Sequence, residues 1–233
     1  MSKIYHTSVS CVPVRKSGSS TAEMVTQLLY GEPYEELSRE DNWVEIRSIL
    51  DGYEGYISSD QTGEHTSFDD SDFKTFKRIT SRFAMMGDMI LTMGSILPGE
   101  DAIEVDDDLF NMALRMIDAP YLWGGKNFMG VDCSGLVQVC ARSLGVFLPR
   151  DASQQVALGT EVSWEEVRRN DLVFFGKSSD KITHVGIVGD ELDIVHACGK
   201  VRVDELSELG ILRREGEKKR LTHELQMIRR VDH

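Results

Sequence analysis

Cysteine is scarce in this 233-residue chain: there are four, at Cys11, Cys133, Cys140 and Cys198. Their spacing shows none of the close pairs that build a disulfide framework or a zinc site. The sequence therefore predicts no metal or other cofactor, and it favours a reducing compartment. Any role of these thiols has to be argued one cysteine at a time.

Basic residues are also in deficit, because 26 Lys and Arg stand against 39 Asp and Glu, a net charge of −13. Nucleic acids and anionic membrane surfaces attract positive charge, so neither is an expected partner. No apolar run approaches the roughly 18 residues of a membrane span. Residues 1–13 lack the charged start and apolar core of a signal peptide. We therefore expect a cytoplasmic protein, unless a leader has been removed, and we predict no particular oligomeric state.

One cysteine follows a glycine-rich stretch, residues 121–125, and begins a segment with a helical apolar pattern. After Cys133, the apolar residues Leu136, Val137, Cys140 and Leu144 recur at helical spacing. Cys133 should thus lie at a helix N-terminus, where free N–H groups and the helix dipole favour the nucleophilic thiolate. A buried, inert thiol is the competing interpretation, and this pattern alone leaves both open.

Two histidines are expected to meet further along the chain. The apolar runs 184–188 and 192–196 flank a short Gly/Asp turn, which predicts a β-hairpin. If the turn centres on Asp190, His184 and His196 lie directly opposite each other on one sheet face. One histidine can then act as a base while the other orients it. Together with the upstream cysteine, this pair favours a catalytic role over a structural one.

The rest of the chain predicts further elements. The first 60 or so residues contain short strand-like runs separated by turn residues, a spacing that suits a small barrel. These runs are 9–14, 21–29, 33–38, 43–49 and 55–58. Residues 62–72 are polar and acidic, as in a linker, and 78–86 and 89–97 resemble strands. The acidic run 106–108 predicts the start of an amphipathic helix that ends by Pro120.

The C-terminal half resembles the NlpC-type cell-wall peptidases, a papain-like group of bacterial cysteine endopeptidases. The matching segments are PYLWGG at 120–125, DCSGLV at 132–137, LPRD at 148–151, DLVFF at 171–175, HVGI at 184–187 and IVHA at 194–197. The resemblance implies a triad of Cys133, His184 and His196, with Tyr121 near the oxyanion site. It also implies a substrate: peptidoglycan stem peptides, cut between the γ-linked D-glutamate and the diamino acid.

Two N-terminal segments resemble the bacterial SH3-like domains that precede many such peptidases. They are EMVTQLLYGE at 23–32 and GYEGYI at 52–57. In similar family members this domain helps to bind the free amine of an N-terminal L-alanine. Carried over, Glu23, Tyr56 and Asp132 would accept hydrogen bonds from that ammonium. Ser134 would line the cleft. Ser153 would be the serine of the loop after the Arg-Asp pair, although Ala152 stands where some relatives have serine.

The predicted fold class is α+β, with three segments. Residues 1–60 form a small SH3-like β-barrel, 61–105 a linker with a possible second, reduced SH3-like unit, and 106–233 a papain-like domain. The antiparallel sheet of the papain-like domain is expected to contain the strands 171–175, 184–188, 192–196 and 225–231. Residues 206–222 are expected to form a surface excursion. The alternatives to a peptidase are an amidase or acyltransferase on another amide or ester, and a non-catalytic protein that binds peptidoglycan peptides.

Overall fold

The N-terminal β domain is one antiparallel sheet of seven strands. The computed structural model describes residues 3–65, 77–97 and 106–231. The first seven strands are β1 Lys3–His6, β2 Cys11–Arg15, β3 Met24–Leu29, β4 Pro33–Glu40, β5 Trp43–Ser48, β6 Glu54–Ser58 and β7 Glu64–His65. Their order in the sheet is β3-β2-β6-β5-β4-β1-β7. Alternate residues of β2, such as Val12 and Val14, enter a core with Val44, Ile46 and Ile57.

The segment that follows consists of two small ladders. Its strands are β8 Lys77–Arg78, β9 Phe83–Met86, β10 Met89–Thr92 and β11 Ile96–Leu97. β9 pairs with β10, and β8 pairs with β11. Most of the expected linker, residues 66–76, and residues 98–105 lie outside the described residues. The two boundaries between the three predicted segments, and the second SH3-like unit, stay predictions.

The C-terminal domain places helices against a closed barrel. Its helices are α1 Leu109–Leu114, α2 Cys133–Ser143 and α3 Ala152–Gln155. Its strands are β12 Lys126–Asn127, β13 Gly130–Val131, β14 Thr160–Glu161, β15 Leu172–Gly176, β16 Ile182–Val188, β17 Asp193–Cys198, β18 Lys200–Ser207, β19 Gly210–Glu215 and β20 Lys218–Arg230. Strands β15 to β19 pair in sequence, and β20 pairs with both β15 and β19, which closes six strands into a barrel.

Two expectations for this domain need correction. The predicted surface excursion at 206–222 is wrong, because β18, β19 and the long β20 run through it and complete the barrel. The first helix ends at Leu114, earlier than Pro120, and three further turns carry the chain to that proline. Its predicted start is right: Asp108 is the N-cap, and its side chain accepts a 2.8 Å hydrogen bond from the Asn111 N–H.

Buried charges join the two domains. Glu32 of the N-terminal domain is fully buried against Lys126 and Arg142 of the C-terminal domain, with 3.1 and 3.2 Å between Lys126 Nζ and its two oxygens. Buried charges are tolerated only when paired in this way, and separating the domains would leave them unpaired. Gly124 also lies at this boundary, with a positive φ of 77° and no room for a Cβ beside the Met24 carbonyl. The domains are thus held in one arrangement.

Candidate active site

Cys133 lies where the motif places it, at the start of a helix that packs against the barrel. It is the first residue of α2, and its N-cap Asp132 accepts a 2.7 Å hydrogen bond from the Gly135 N–H. The thiol is 6% exposed, and its Sγ lies 4.0 Å from the carbonyl oxygen of Thr183 on β16. Cys133 therefore faces the strand segment that carries His184.

The protonation state of Cys133 differs from expectation. Burial, reinforced by the charge of Asp132, raises the pKa of Cys133 to about 11. The amides of Val185 and Ser134 lower this pKa, as the helix-start argument requires, but their effect is smaller. The expectation that the helix start favours the thiolate is thus not met, because burial outweighs the amides. Cys133 is a neutral thiol and needs a base to become a nucleophile.

His184 and His196 are in direct contact. Nε2 of His184 lies 2.8 Å from Nδ1 of His196, and their rings meet edge to face. The predicted register is wrong by two, because His196 lies opposite Gly186 and the hairpin turn centres on Glu191. A Cβ on Gly186 would approach the His196 Cβ to 3.0 Å. The glycine therefore leaves room for the diagonal contact between the two imidazoles.

Both histidines are neutral at physiological pH. Burial, together with His196 and His223, places the pKa of His184 well below its usual value. Burial also lowers the pKa of His196, although Asp204 opposes this shift. Nδ1 of His184 makes no hydrogen bond to any described residue. A neutral imidazole with one uncommitted nitrogen can accept a proton, so His184 is suited to serve as the base.

Two neighbours of these histidines were not predicted from the sequence. Asp204 of β18 lies 3.1 Å from Nε2 of His196, and the ring of His223 stacks on that of His184 with 4.3 Å between centroids. Burial, followed by the charges of His196 and Arg213, lowers the pKa of His223 to about 4. The alternation of Val201 and Val203 with polar residues was a signal for β18, and hence for the direction of Asp204.

Tyr121 borders the same thiol. Its N–H donates to the Gly199 carbonyl, which fixes the backbone beside β17. Burial, then the charges of Cys133 and Asp132, raise the pKa of Tyr121 to about 12. The hydroxyl therefore stays protonated at neutral pH. A protonated hydroxyl near Cys133 is suited to donate to an oxyanion, and this role stays a prediction.

Asp132 and Ser134 surround a buried arginine. Both oxygens of Asp132 accept from Arg150, at 3.0 and 2.5 Å, and they also accept from the N–H groups of Gly124 and Gly135. Ser134 Oγ accepts from Arg150 at 2.9 Å. The carboxylate is therefore already saturated with donors. These contacts support a role in holding the loop and helix together rather than in binding an ammonium.

A cleft of about 640 Å³ opens from Cys133 and is lined by both domains. Of the predicted binding residues, Asp132, Ser134, Ser153 and Glu23 line it. Glu23 reaches across the domain boundary, where its Oε1 accepts a 2.8 Å hydrogen bond from the Trp123 indole. The N-terminal β domain thus forms one wall of the cleft.

The structure does not bring Tyr56 to the cleft. The hydroxyl of Tyr56 donates to Glu45, 3.1 Å away on the neighbouring strand β5. Tyr53 lines the cleft instead, and its hydroxyl lies 3.4 Å from Oδ2 of Asp151. Tyr53 precedes β6 in a turn where its N–H donates to Asp51 Oδ1, which directs the ring towards the C-terminal domain.

Groups of three or more metal-binding side chains do not occur among the described residues. In the same part of the chain, no helix is long and apolar enough to cross a membrane. The site itself brings together a thiol, a neutral histidine pair and a cleft that acidic side chains line.

Comparison with known proteins matches two separate segments of the chain. Residues 118–217 match the NlpC/P60 family, and residues 14–61 match the bacterial dipeptidyl-peptidase SH3 domain. Gamma-D-glutamyl-L-lysine dipeptidyl-peptidase of Bacillus cereus is 31% identical over 105 residues, which cover 44% of this chain and 32% of that protein. The match thus spans about a third of this relative's length.

Two further comparisons bear on the fold and family. The probable endopeptidase NlpC of Escherichia coli is 37% identical over 42% of this chain and 64% of that protein. The crystal structure of an NlpC/P60 family protein from Bacillus cereus superposes with a TM-score of 0.79, at 18% identity, over 97% of this chain and 99% of that one. This superposition confirms the predicted fold class, an SH3-like β region followed by a papain-like domain.

Proposed function

We propose that this chain, which carries an NlpC/P60 domain behind a bacterial dipeptidyl-peptidase SH3 domain, is a cysteine endopeptidase of peptidoglycan stem peptides. The family resemblance predicted from the motifs is confirmed, and the relatives that match this chain include a gamma-D-glutamyl-L-lysine dipeptidyl-peptidase and a probable endopeptidase. The observation that carries the proposal is that Cys133, at the start of α2 and in the cleft, lies 4.0 Å from the carbonyl of Thr183, the residue next to His184, which contacts His196.

The reaction begins with a neutral thiol and a neutral imidazole. The Cys133 sulfur attacks the amide carbonyl carbon while its proton passes to His184. The C–N bond then breaks, the leaving amine takes the proton from His184, and a thioester remains. Water attacks the thioester with His184 again accepting the proton. The freed thiol is reprotonated by His184, and the product leaves as a carboxylic acid.

Two donors are suited to the oxyanion that forms at each attack. The Cys133 N–H has no acceptor within its own helix, because it is the first residue of α2. The Tyr121 hydroxyl stays protonated, since its pKa is raised to about 12. One donor of this kind typically contributes about a hundred- to a thousandfold in rate.

The substrate proposal rests on oxygen atoms that both domains bring to the cleft. Glu23 and Tyr53 of the N-terminal domain and Asp151 of the C-terminal domain all line it. Burial raises the pKa of Asp151, and an ammonium beside it would oppose that shift. We infer that these three groups bind the free amine of an N-terminal L-alanine. Glu23 keeps its predicted role, Tyr53 replaces Tyr56, and Asp151 replaces Asp132 because the Asp132 oxygens are occupied.

This amine site, placed next to Cys133, favours cleavage close to the peptide N-terminus. The relatives named gamma-D-glutamyl-L-lysine dipeptidyl-peptidase suggest which bond, the one between γ-linked D-glutamate and the diamino acid. Stem peptides with a free alanine are turnover fragments, since the alanine in intact wall is amide-linked. A cytoplasmic role in recycling such fragments follows as a proposal, tested by fractionation of cells that produce the tagged protein.

An amidase or acyltransferase acting on another amide or ester would use the same thiol and histidines. An ammonium site has no purpose with an internal acyl substrate, so the acidic wall favours the peptidase. A purely peptide-binding role is disfavoured because Cys133, His184 and His196 are all present, with the two histidines in contact and the thiol against the strand that carries His184.

The direct test is mass spectrometry of L-Ala-γ-D-Glu-diamino acid peptides after incubation with the protein. We expect L-Ala-γ-D-Glu and the free diamino acid, with no other fragment. Parallel reactions with lysine and diaminopimelate in the third position establish which one is preferred. Cleavage only at another bond, or no cleavage of either peptide, would refute the proposed substrate.

A further inference from the structure

A carboxylate stands directly behind the histidine pair. Arg202 of β18 lies opposite His196 of β17, and Asp204 follows two residues later on the same face. Oδ2 of Asp204 lies 3.1 Å from Nε2 of His196, while the other ring nitrogen of His196 contacts His184. The Asp204 side chain is 6% exposed, so this contact is shielded from water.

Two arginines hold the Asp204 carboxylate in place. Nη2 of Arg202 donates a 2.7 Å hydrogen bond to Oδ1, and Nε of Arg213 lies 4.0 Å from Oδ2. Burial alone would raise the pKa of Asp204, but the hydrogen bonds from His196 and Arg202 bring it below its ordinary value. Asp204 is therefore ionised in the folded protein.

An ionised carboxylate can only accept hydrogen bonds. Nε2 of His196 must therefore carry a proton. In the neutral ring, Nδ1 is then unprotonated and has a lone pair that can accept a hydrogen bond. That lone pair, 2.8 Å from Nε2 of His184, requires the proton of His184 to be on Nε2. Nδ1 of His184 is left unprotonated. The opposite arrangement would place two acceptors, Nε2 of His196 and Oδ2 of Asp204, 3.1 Å apart with no proton between them.

We propose that Asp204 is a positioning residue that fixes the tautomers of both imidazoles and so makes Nδ1 the basic nitrogen of His184. The other titratable groups facing the pair are Arg202, Arg213 and the stacked His223. His223 lies on the face of His184 and makes no hydrogen bond to either ring nitrogen of the pair, so it does not select a tautomer. The catalytic consequence rests on the proposed function, whereas the tautomers themselves do not.

Two neighbouring carboxylates of β18, Asp204 and Glu205, give a matched pair of variants. Asp204→Asn removes the charge that holds the His196 proton. Glu205→Gln makes the equivalent change one residue later, where the partly exposed side chain pairs with Lys219 at 2.5 Å. We expect kcat to fall roughly ten- to a hundredfold in Asp204→Asn, with KM unchanged. Glu205→Gln should retain wild-type kcat, and equal kcat in the two variants would overturn the proposal.

A second measurement needs neither substrate nor a folded variant at Asp204. In ¹⁵N-histidine spectra of the wild-type protein at neutral pH, protonated and unprotonated ring nitrogens have distinct shifts. We expect both His184 and His196 to be protonated on Nε2 and unprotonated on Nδ1. A wild-type spectrum in which His196 carries its proton on Nδ1 would overturn the tautomer assignment, whatever peptide the enzyme cleaves. If the wild-type protein gives the expected spectrum but does not cleave the peptide, the proposed function is refuted and the tautomer assignment stands.

Discussion

In the C-terminal domain, Cys133 lines the cleft, and His184 and His196 are buried and hold each other in place. On the N-terminal wall, Glu23 is 47% exposed, and its partners are the Trp123 indole and a lysine 3.9 Å away. Burial in the C-terminal domain keeps every reacting group neutral until substrate arrives. Exposure on the N-terminal wall leaves charges available for a ligand. The reaction is thus assigned to one domain and substrate selection mainly to the other.

The largest loss is expected from removal of the thiol. Cys133→Ala should lower kcat about a thousandfold or more, because no other group can form the thioester. Cys140→Ala is the matched control, since it deletes a thiol two turns along α2 whose Sγ lies against Met93. Peptide hydrolysis and circular dichroism are measured for both variants. A Cys133→Ala protein that is folded and still active would remove the nucleophile assignment.

The second-largest effect is expected from the two histidines, whose alanine variants should differ in activity. His184→Ala deletes the proton acceptor itself, whereas His196→Ala deletes its orienting partner. We expect His196→Ala to retain at least about tenfold more activity than His184→Ala. Steady-state kinetics on the same peptide measure both. If His196→Ala is the more damaged variant, the roles of base and orienter must be exchanged.

The features that were predicted from sequence are local ones. The helix start at Cys133 and the strands carrying His184 and His196 follow from residue patterns within a few positions. The prediction of the hairpin register failed because of the turn. The turn contains Leu192 at a positive φ of 54° and closes with a hydrogen bond from the Gly189 N–H to the Asp193 carbonyl. No pattern of alternating residues specifies such a turn.

The contacts that were missed depend on closure of the barrel. His223 reaches His184 only because β20 pairs with β15, and Asp204 reaches His196 across the β17–β18 ladder. The choice of Tyr56 over Tyr53 failed for a different reason. Both tyrosines occur in one short motif, and only the fold shows which of them faces the other domain.

On the N-terminal wall, a smaller effect is expected. Glu23→Gln removes a negative charge from the proposed amine site and should lower kcat/KM about tenfold, mainly through KM. Glu35→Gln is the control, because Glu35 lies in the same domain and pairs with Arg47 on the surface. Kinetics with a peptide bearing a free alanine compare the two. Equal values would show that Glu23 does not contact the substrate amine.

The smallest expected effect is on how the free energy of unfolding depends on pH. His184, His196 and His223 have lowered pKa values in the fold, so their neutral forms stabilise it fully above the unfolded histidine pKa of about 6.5. This stability is lost as pH falls from there towards 4, because the unfolded chain binds more protons. His223→Phe should flatten the decline by at most about 1.4 kcal/mol per pH unit. Urea unfolding at pH 7, 6 and 5 measures it, and parallel slopes would contradict the assignment.

The central claim is that a buried cysteine and histidine pair cut peptides whose free amine is bound mainly by the N-terminal domain. Its most direct test compares kcat/KM for L-Ala-γ-D-Glu-diamino acid with that for the same peptide acetylated on the alanine. Acetylation removes the charge and leaves acceptor groups unmatched, which typically costs roughly ten- to a hundredfold. We predict that loss for the wild-type protein and a much smaller one for Glu23→Gln. Equal kcat/KM for free and acetylated peptides in the wild-type protein would contradict the account.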